Sequence, residues 1–60
     1  MDSIIMSVTV LKDFRGFKAG EVLYLDVINY ESVFRHSNGT CIPMDDIIKY
    51  FEFFRIDFKE

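Results

Sequence analysis

The one histidine and the one cysteine of this 60-residue chain, His36 and Cys41, lie on either side of the dipeptide Asn38-Gly39. A thiolate beside an imidazole is a nucleophile, and the same pair would supply two ligands of a metal site. A two-residue turn at Asn38-Gly39 would place His36 directly opposite Cys41. The sequence supplies no third group to orient the imidazole and no set of four zinc ligands. We therefore predict no enzyme activity, no metal and no cofactor.

Asp45 and Asp46 are adjacent acids at the start of a predicted helical turn. Successive side chains on a helix point about 100° apart, so the two carboxylates do not converge on one substrate atom or metal ion. Carboxylates near a helix start interact favourably with its unpaired N–H groups. We interpret this pair as part of the helix and not as a site.

The basic residues Arg15, Lys18 and Arg35 are expected to gather beside aromatic rings at one end of a small domain. Cationic groups interleaved with stacking surfaces are typical of nucleic-acid binding. The whole chain, however, has seven basic and ten acidic residues and a net charge of −3, which opposes attraction to a phosphate backbone. Nucleic-acid binding is therefore the alternative function.

The chain is rich in aromatic side chains, with seven phenylalanines and three tyrosines. They outnumber the places that the interior of so short a chain can offer, and an exposed apolar patch typically marks a protein interface. The alternative is that the rings are half-buried in ordinary barrel packing, since single exposed apolar residues are normal. The leading prediction is a non-enzymatic interaction module that contacts a protein partner or a second copy of itself. The rings assigned to this surface are Phe17, Tyr24, Tyr30, Phe34 and Phe53.

The elements that must position these side chains are short strands. Apolar residues recur with a period of two over residues 4–10, 21–28 and 52–59, which predicts strands with one buried side. The sides expected to face the core are Ile4, Met6, Val8 and Val10 in the first strand, Leu23, Leu25 and Val27 in the second, and Phe54, Ile56 and Phe58 in the last.

Between these strands, Asn38-Gly39 predicts a hairpin with a type I′ turn, in which Arg35 pairs with Ile42 and Phe34 with Pro43. The segment Lys18-Ala19-Gly20-Glu21 places glycine third in a turn, where positive φ is needed, and predicts a type II turn. Residues 44–50 predict a short helix.

The sequence shows no linker and no internal repeat, so we expect residues 1–60 to form one domain. Its first residues do not resemble a secretory signal, and no apolar stretch approaches the length of a membrane span. The single cysteine fits a reducing compartment. We expect a cytoplasmic protein that does not bind a membrane.

The segments Phe17-Lys18-Ala19-Gly20-Glu21 and Cys41-Ile42-Pro43-Met44-Asp45-Asp46-Ile47 resemble the diverging turn and the isoleucine-proline helical turn of SH3-type domains. The resemblance implies an all-β fold, namely a five-stranded SH3-like barrel with one short helical turn before the last strand, closed so that its edges are protected.

The resemblance does not carry over a ligand. The chain lacks tryptophan and its first loop, residues 13–20, is short, so the polyproline-binding residues of SH3 domains have no counterparts here. The small stand-alone SH3-like proteins of bacteria and their phages are more similar, which implies a cytoplasmic accessory or interaction protein of bacterial or phage origin.

Overall fold

The computed structural model describes residues 4–59, which form one antiparallel sheet of five strands in the order β4-β3-β2-β1-β5. The strands are β1 Ile4–Val10, β2 Val22–Ile28, β3 Glu31–Arg35, β4 Cys41–Pro43 and β5 Phe54–Lys59. Helix α1, Met44–Lys49, and a 3₁₀ turn, Phe51–Phe53, connect β4 to β5. The all-β class, the five strands and the short helix before the last strand are as predicted.

The sheet is open. Within residues 4–59 no backbone pairing joins β4 to β5, so the closed barrel expected from the sequence is not observed. Ile42 of β4 and Phe54 of β5 nevertheless belong to the same buried cluster, although their strands lie at opposite edges. The sheet therefore curls around a shared interior without closing its ladder of hydrogen bonds.

The core is a single cluster on one face of the sheet. Its members are Val8, Val10, Phe14, Phe17, Leu23, Phe34, Ile42, Ile47 and Phe54. Directly paired strand residues point to the same face of the sheet. The centre of the core cluster is formed by the pairs Val8–Leu23 and Phe34–Ile42. Burial of each large apolar side chain stabilises the fold by about 1.5–3 kcal/mol.

Only part of each predicted core side is covered. Leu23 and Phe54 are buried as predicted. The residues that follow them on the same side are exposed, namely Leu25, Val27, Ile56 and Phe58. Side chains alternate along the whole of β2 and β5, but the C-terminal half of each strand extends past the core cluster. The predicted burial of these four side chains is therefore wrong.

A β-bulge changes the phase of β1. Ile5 and Ser7 pair with consecutive residues of β5, so Met6 lies between them without a partner. The extra residue reverses the alternation that follows. Ile5 therefore packs against the core while Ile4 and Met6 are exposed, contrary to the prediction from the two-residue period.

The hairpin between β3 and β4 has a longer loop than predicted. The N–H of His36 donates to the carbonyl of Thr40 (2.8 Å), and the N–H of Gly39 donates to the carbonyl of His36 (2.9 Å). Within this loop of residues 37–39, only Gly39 has positive φ, at 93°. This is a type I turn followed by one left-handed residue. The predicted type I′ turn would need positive φ at both of its central residues.

The longer loop shifts the register by one residue. Phe34 pairs with Ile42 and Arg35 with Cys41, whereas the prediction paired Arg35 with Ile42. The observed register places two buried apolar side chains opposite each other, which the predicted one does not. Core packing therefore decides the pairing, and the predicted register is wrong.

The turns before β2 and between β2 and β3 also contain residues with positive φ. Gly20 has φ of 96° and the N–H of Glu21 donates to the carbonyl of Lys18 (3.1 Å), which confirms the predicted turn before β2. Asn29 and Tyr30 have φ of 51° and 65° between β2 and β3. Two consecutive left-handed residues make this a type I′ hairpin turn, which was not predicted from the sequence.

Helix α1 depends on the sheet for its stability. Its six residues are too few for a helix in isolation, and Ile47 attaches it to the core. No helix in residues 4–59 is long and apolar enough to cross a membrane.

Candidate functional site

Two of the three basic residues predicted for a nucleic-acid surface form ion pairs with carboxylates on different elements. Arg15 donates to Asp46 of α1 at 2.7 Å, and Arg35 lies 3.1 Å from Asp26 of β2. Lys18 lies in the turn before β2, where its backbone N–H donates to the side chain of the glutamate three residues on. The two arginines are therefore each neutralised by a nearby carboxylate.

Arg15 also has a packing role. Its guanidinium lies 4.9 Å from the centre of the Phe14 ring and 5.6 Å from that of Tyr50. The hydrogen bond to Asp46 raises the pKa of Arg15 above its ordinary value. The side chain thus ties the first loop to α1 by stacking and charge together.

His36 and Cys41 do not form the predicted cross-strand pair. Cys41 is opposite Arg35, and the imidazole is engaged on both nitrogens. Nδ1 of His36 accepts the N–H of Asn38 at 3.2 Å, and Nε2 lies 2.7 Å from the carboxylate of Glu21. Within residues 4–59, no three His, Cys, Asp or Glu side chains lie close enough together to hold a metal ion.

The sheet face opposite the core carries a polar row. Direct pairing aligns Asp57, Ser7, Tyr24, Arg35 and Cys41 across all five strands in turn. Directly paired residues share a face, so these side chains are neighbours on one surface. The row divides into a carboxylate network at β1 and β5 and the Arg35 ion pair at β2 and β3.

Asp57 is the centre of that network. Its carboxylate accepts hydrogen bonds from Thr9 at 2.8 Å, from Arg55 at 2.9 Å and from Ser7 at 3.2 Å. Burial acts to raise the pKa of Asp57, but the hydrogen bonds from these three groups together outweigh it and lower the pKa below its ordinary value. The hydrogen bonds from Ser7 and Thr9 of β1 to the Asp57 carboxylate therefore connect β5 to β1.

This network predicts a loss of stability in acid. An Asp with a lowered folded-state pKa contributes stability above its unfolded-state pKa of about 3.9, and that contribution disappears as the pH falls through the folded value. We expect Asp57→Asn to reduce the free energy of unfolding by about 1 kcal/mol at pH 7. The difference from the native chain should be constant above about pH 5 and shrink below about pH 4, measured by urea unfolding.

Asp45→Asn is the matched control, because Asp45 is exposed on α1. It should leave the unfolding free energy within about 0.5 kcal/mol of the native value at each pH. An Asp57→Asn difference that does not change with pH would contradict the role of the Asp57 carboxylate.

The five rings predicted to form the interaction surface do not lie together on the surface. Phe17 and Phe34 are buried members of the core, and Phe53 is half-buried against it. This corrects the assignment of Phe17 and Phe34, because a buried ring cannot contact a partner. Tyr24 and Tyr30 are exposed.

The end of the β2–β3 hairpin extends beyond the rest of the sheet. β1 pairs with β2 only as far as Tyr24, and β4 pairs with β3 only as far as Val33. Residues 27–28 pair with residues 31–32 beyond both limits. We call this segment, residues 27–32, the ribbon tip. Its two strands have no further strand beside them among the residues described.

The ribbon tip is apolar on both faces and at its end. Val27 is 64% exposed, and Ile28 is exposed on the opposite face because successive strand residues alternate. Tyr30 is fully exposed, at 102% of its reference area. Three large apolar side chains therefore point into solvent on a segment with little contact to the core.

The backbone at Tyr30 is strained. Positive φ is unusual for a bulky side chain, and such a residue costs about 1–3 kcal/mol. Asn29 tolerates the same conformation well, and glycine is the residue usually found where Tyr30 lies. Folding alone therefore does not explain a tyrosine at this position. Recognising Asn29-Tyr30 as a variant of the Asn-Gly turn would have located the site from the sequence.

Comparison of the chain with protein-family models, with curated proteins and with solved structures gives no match. The function is therefore inferred from the geometry of the ribbon tip.

Proposed function

We propose that the protein is a non-enzymatic interaction module that inserts Tyr30 into a pocket on a partner protein. The full exposure of Tyr30 in a strained turn carries this proposal. Strained residues persist mainly at functional positions. Tyrosine is among the side chains that contribute most to binding energy at protein interfaces, because its ring buries a large area and its hydroxyl still finds a hydrogen-bond partner.

The residues around Tyr30 fit a protein partner. Val27 and Ile28 would add apolar contact on either side of the ring, as the apolar centre of an interface does. Residues 27–32 include one acidic residue, Glu31, and no basic one. A phosphate backbone would find no counter-charge at the ribbon tip, so a protein surface is the better match.

We also infer that the fold is an open form of the SH3-like barrel. The strand order, the Gly20 turn, the helical turn before β5 and the cluster shared by Ile42 and Phe54 all support this inference. The bacterial or phage origin and cytoplasmic location implied by the resemblance remain part of the proposal.

Tyr30→Gly tests the function directly. Because glycine adopts positive φ without strain, we expect the free energy of unfolding to rise by about 1 kcal/mol, measured by urea denaturation. The same variant should lose a protein that the immobilised native chain retains from a lysate of its own host. Higher stability with lost binding is the pattern of a residue kept for function.

Asn29→Gly is the matched control in the same turn. It changes the same backbone region but keeps the tyrosine ring, so it should retain the partner and alter stability by no more than a few tenths of a kcal/mol. The proposal fails if Tyr30→Gly retains every protein that the native chain does, or if it destabilises the fold.

A further inference from the structure

The open sheet has two edges of different character. β4 is three residues long. The hydrogen bond from the His36 N–H to the Thr40 carbonyl shows that the backbone groups of Thr40 point to β3. Backbone groups alternate along a strand, so those of Ile42 also point to β3, and those of Cys41 and Pro43 point to the outer edge. Pro43 has no N–H to donate, and the chain turns directly into α1. Short length and proline are usual protections of an edge strand.

The outer edge of β5 lacks these protections. This strand has six residues and contains neither proline nor glycine. Its neighbour β1 lies on one side, and no strand pairs with the other side within residues 4–59. An unpaired edge of this length is a template for another strand.

The backbone groups that point outward can be identified. The N–H of Val10 donates to the Glu21 carbonyl, and the Val10 carbonyl accepts from the Gly20 N–H, so the backbone groups of Val10 point to β2. Those of the preceding residue, Thr9, therefore point to β5. Thr9 pairs with Arg55. The backbone of Arg55 and Asp57 therefore points to β1, and that of Phe54, Ile56 and Phe58 points away from it.

Two N–H groups on this edge are available for a partner strand. The N–H of Phe54 already donates to the carbonyl of Phe51. The N–H groups of Ile56 and Phe58 and the carbonyls of Phe54, Ile56 and Phe58 have no backbone partner in the described part of the chain. A strand pairing here must use these groups.

We propose that two copies of the chain pair antiparallel along β5, with Ile56 opposite Ile56 of the second copy. In this register the Ile56 N–H donates to the Ile56 carbonyl of the other copy, and the Phe58 N–H donates to the Phe54 carbonyl. Both bonds occur twice by symmetry. The outward-pointing groups thus meet each other, as an antiparallel ladder requires.

Charge selects this register among the alternatives. With Ile56 on the two-fold axis, Arg55 faces Asp57 of the other copy on the polar side of the sheet. A slip of two residues in one direction puts Arg55 opposite itself, and a slip in the other direction puts Asp57 opposite itself. Opposite charges facing each other stabilise a pair of strands, and like charges destabilise it.

Apolar burial favours the same register. Ile56 and Phe58 lie on the core side of the sheet but are exposed in one chain. In the dimer, Ile56 meets its own copy and Phe58 meets Phe54, so the second copy extends the core over them. This interface does not involve the ribbon tip, and each can be present without the other.

The native chain gives the first test. We expect sedimentation equilibrium to show twice the chain mass at millimolar concentration. Amide hydrogen exchange at Ile56 and Phe58 should slow as the concentration rises, while exchange at Arg55 and Asp57, whose amides face β1, should stay constant. A chain that remains monomeric, or an unchanged rate at Ile56 and Phe58, would overturn the proposal.

A charge reversal tests the register. Arg55→Glu also removes the hydrogen bond that Arg55 donates to Asp57 of its own chain, so circular dichroism should first show that the variant is folded. In the dimer it would place two carboxylates opposite each other at both symmetric positions and should weaken association about tenfold or more. Lys49→Glu, on α1, makes the same change in net charge and should alter the dissociation constant less than about twofold. Equal effects of the two variants would show that net charge alone controls association and would reject this interface.

Cross-linking checks the position of the axis. In a Cys41→Ser background, Ile56→Cys should form a disulfide-linked dimer, because paired Cα atoms about 5.5 Å apart lie within disulfide reach. Phe58→Cys should not, since the two copies of residue 58 would be about 13 Å apart along the strands. Faster cross-linking of Phe58→Cys would overturn the proposed register. Tyr30→Gly should leave the dimer intact, which separates this proposal from the function of the ribbon tip.

Discussion

Phe34→Ala is expected to lower the free energy of unfolding by about 3–5 kcal/mol, because it leaves a cavity where a large ring was buried. Phe34 is 1% exposed and pairs with Ile42 across β3 and β4. A domain of sixty residues has a total stability of about 3–9 kcal/mol, so this loss would unfold a large share of the molecules. Urea denaturation followed by circular dichroism would measure it.

Phe51→Ala is the control for this experiment. Phe51 is 70% exposed, and its removal should change the unfolding free energy by less than about 0.5 kcal/mol. A Phe34→Ala chain that keeps its native stability but loses a binding partner would return Phe34 to the interaction surface.

Phe14→Ala is expected to have an effect of similar size, about 3–5 kcal/mol. The Phe14 ring lies 5.3 Å from that of Tyr50, 5.2 Å from that of Phe53 and 5.1 Å from that of Phe54. These contacts connect the first loop to the segment between α1 and β5. Loss of the ring therefore removes both buried area and the attachment of the loop, which urea denaturation would detect.

Phe14→Leu separates the two contributions. Leucine keeps most of the buried area but loses the aromatic pairs, each worth about 0.5–1.5 kcal/mol. We expect a loss of stability clearly smaller than that of Phe14→Ala. In the double variant Phe14→Leu/Phe53→Leu, the losses should not add, because the two rings are in contact. Strict additivity would contradict a specific ring pair.

These two phenylalanines show how a short chain uses its aromatic residues. The sequence supplies more rings than we expected the interior to hold, yet Phe14, Phe17 and Phe34 all lie in the core. The exposed rings are Tyr24 and Tyr30 on the β2–β3 hairpin, Phe51 after α1 and Phe58 in β5. The surface available to a partner is therefore smaller than the composition indicated.

The candidate site was only partly visible in the sequence. Tyr30 was among the residues predicted to bind a partner, but because rings are abundant and not because of its conformation. Its positive φ follows from pairing Ile28 with Glu31, which leaves two residues for the turn. Asn29 favours this turn but Tyr30 does not, so the local sequence alone does not decide the pairing.

Local sequence patterns were sufficient to locate most elements. The period of two places β1, β2 and β5, glycine at position 20 gives the turn before β2, and the residues after Pro43 form the short helix. These features depend on the φ preferences and side-chain alternation of neighbouring residues, which are properties of the local chain.

Tertiary structure alone decided which part of each strand is buried, where β1 bulges and how β3 pairs with β4. Alternation assigns Leu25, Val27, Ile56 and Phe58 to the correct side but cannot show that nothing covers them. The bulge at Met6 and the pairing of Phe34 with Ile42 arise because side chains distant in sequence must fill one interior. The burial of a side chain and the register of two strands depend on how all the elements pack together. The alternation of side chains depends only on the sequence of a single strand.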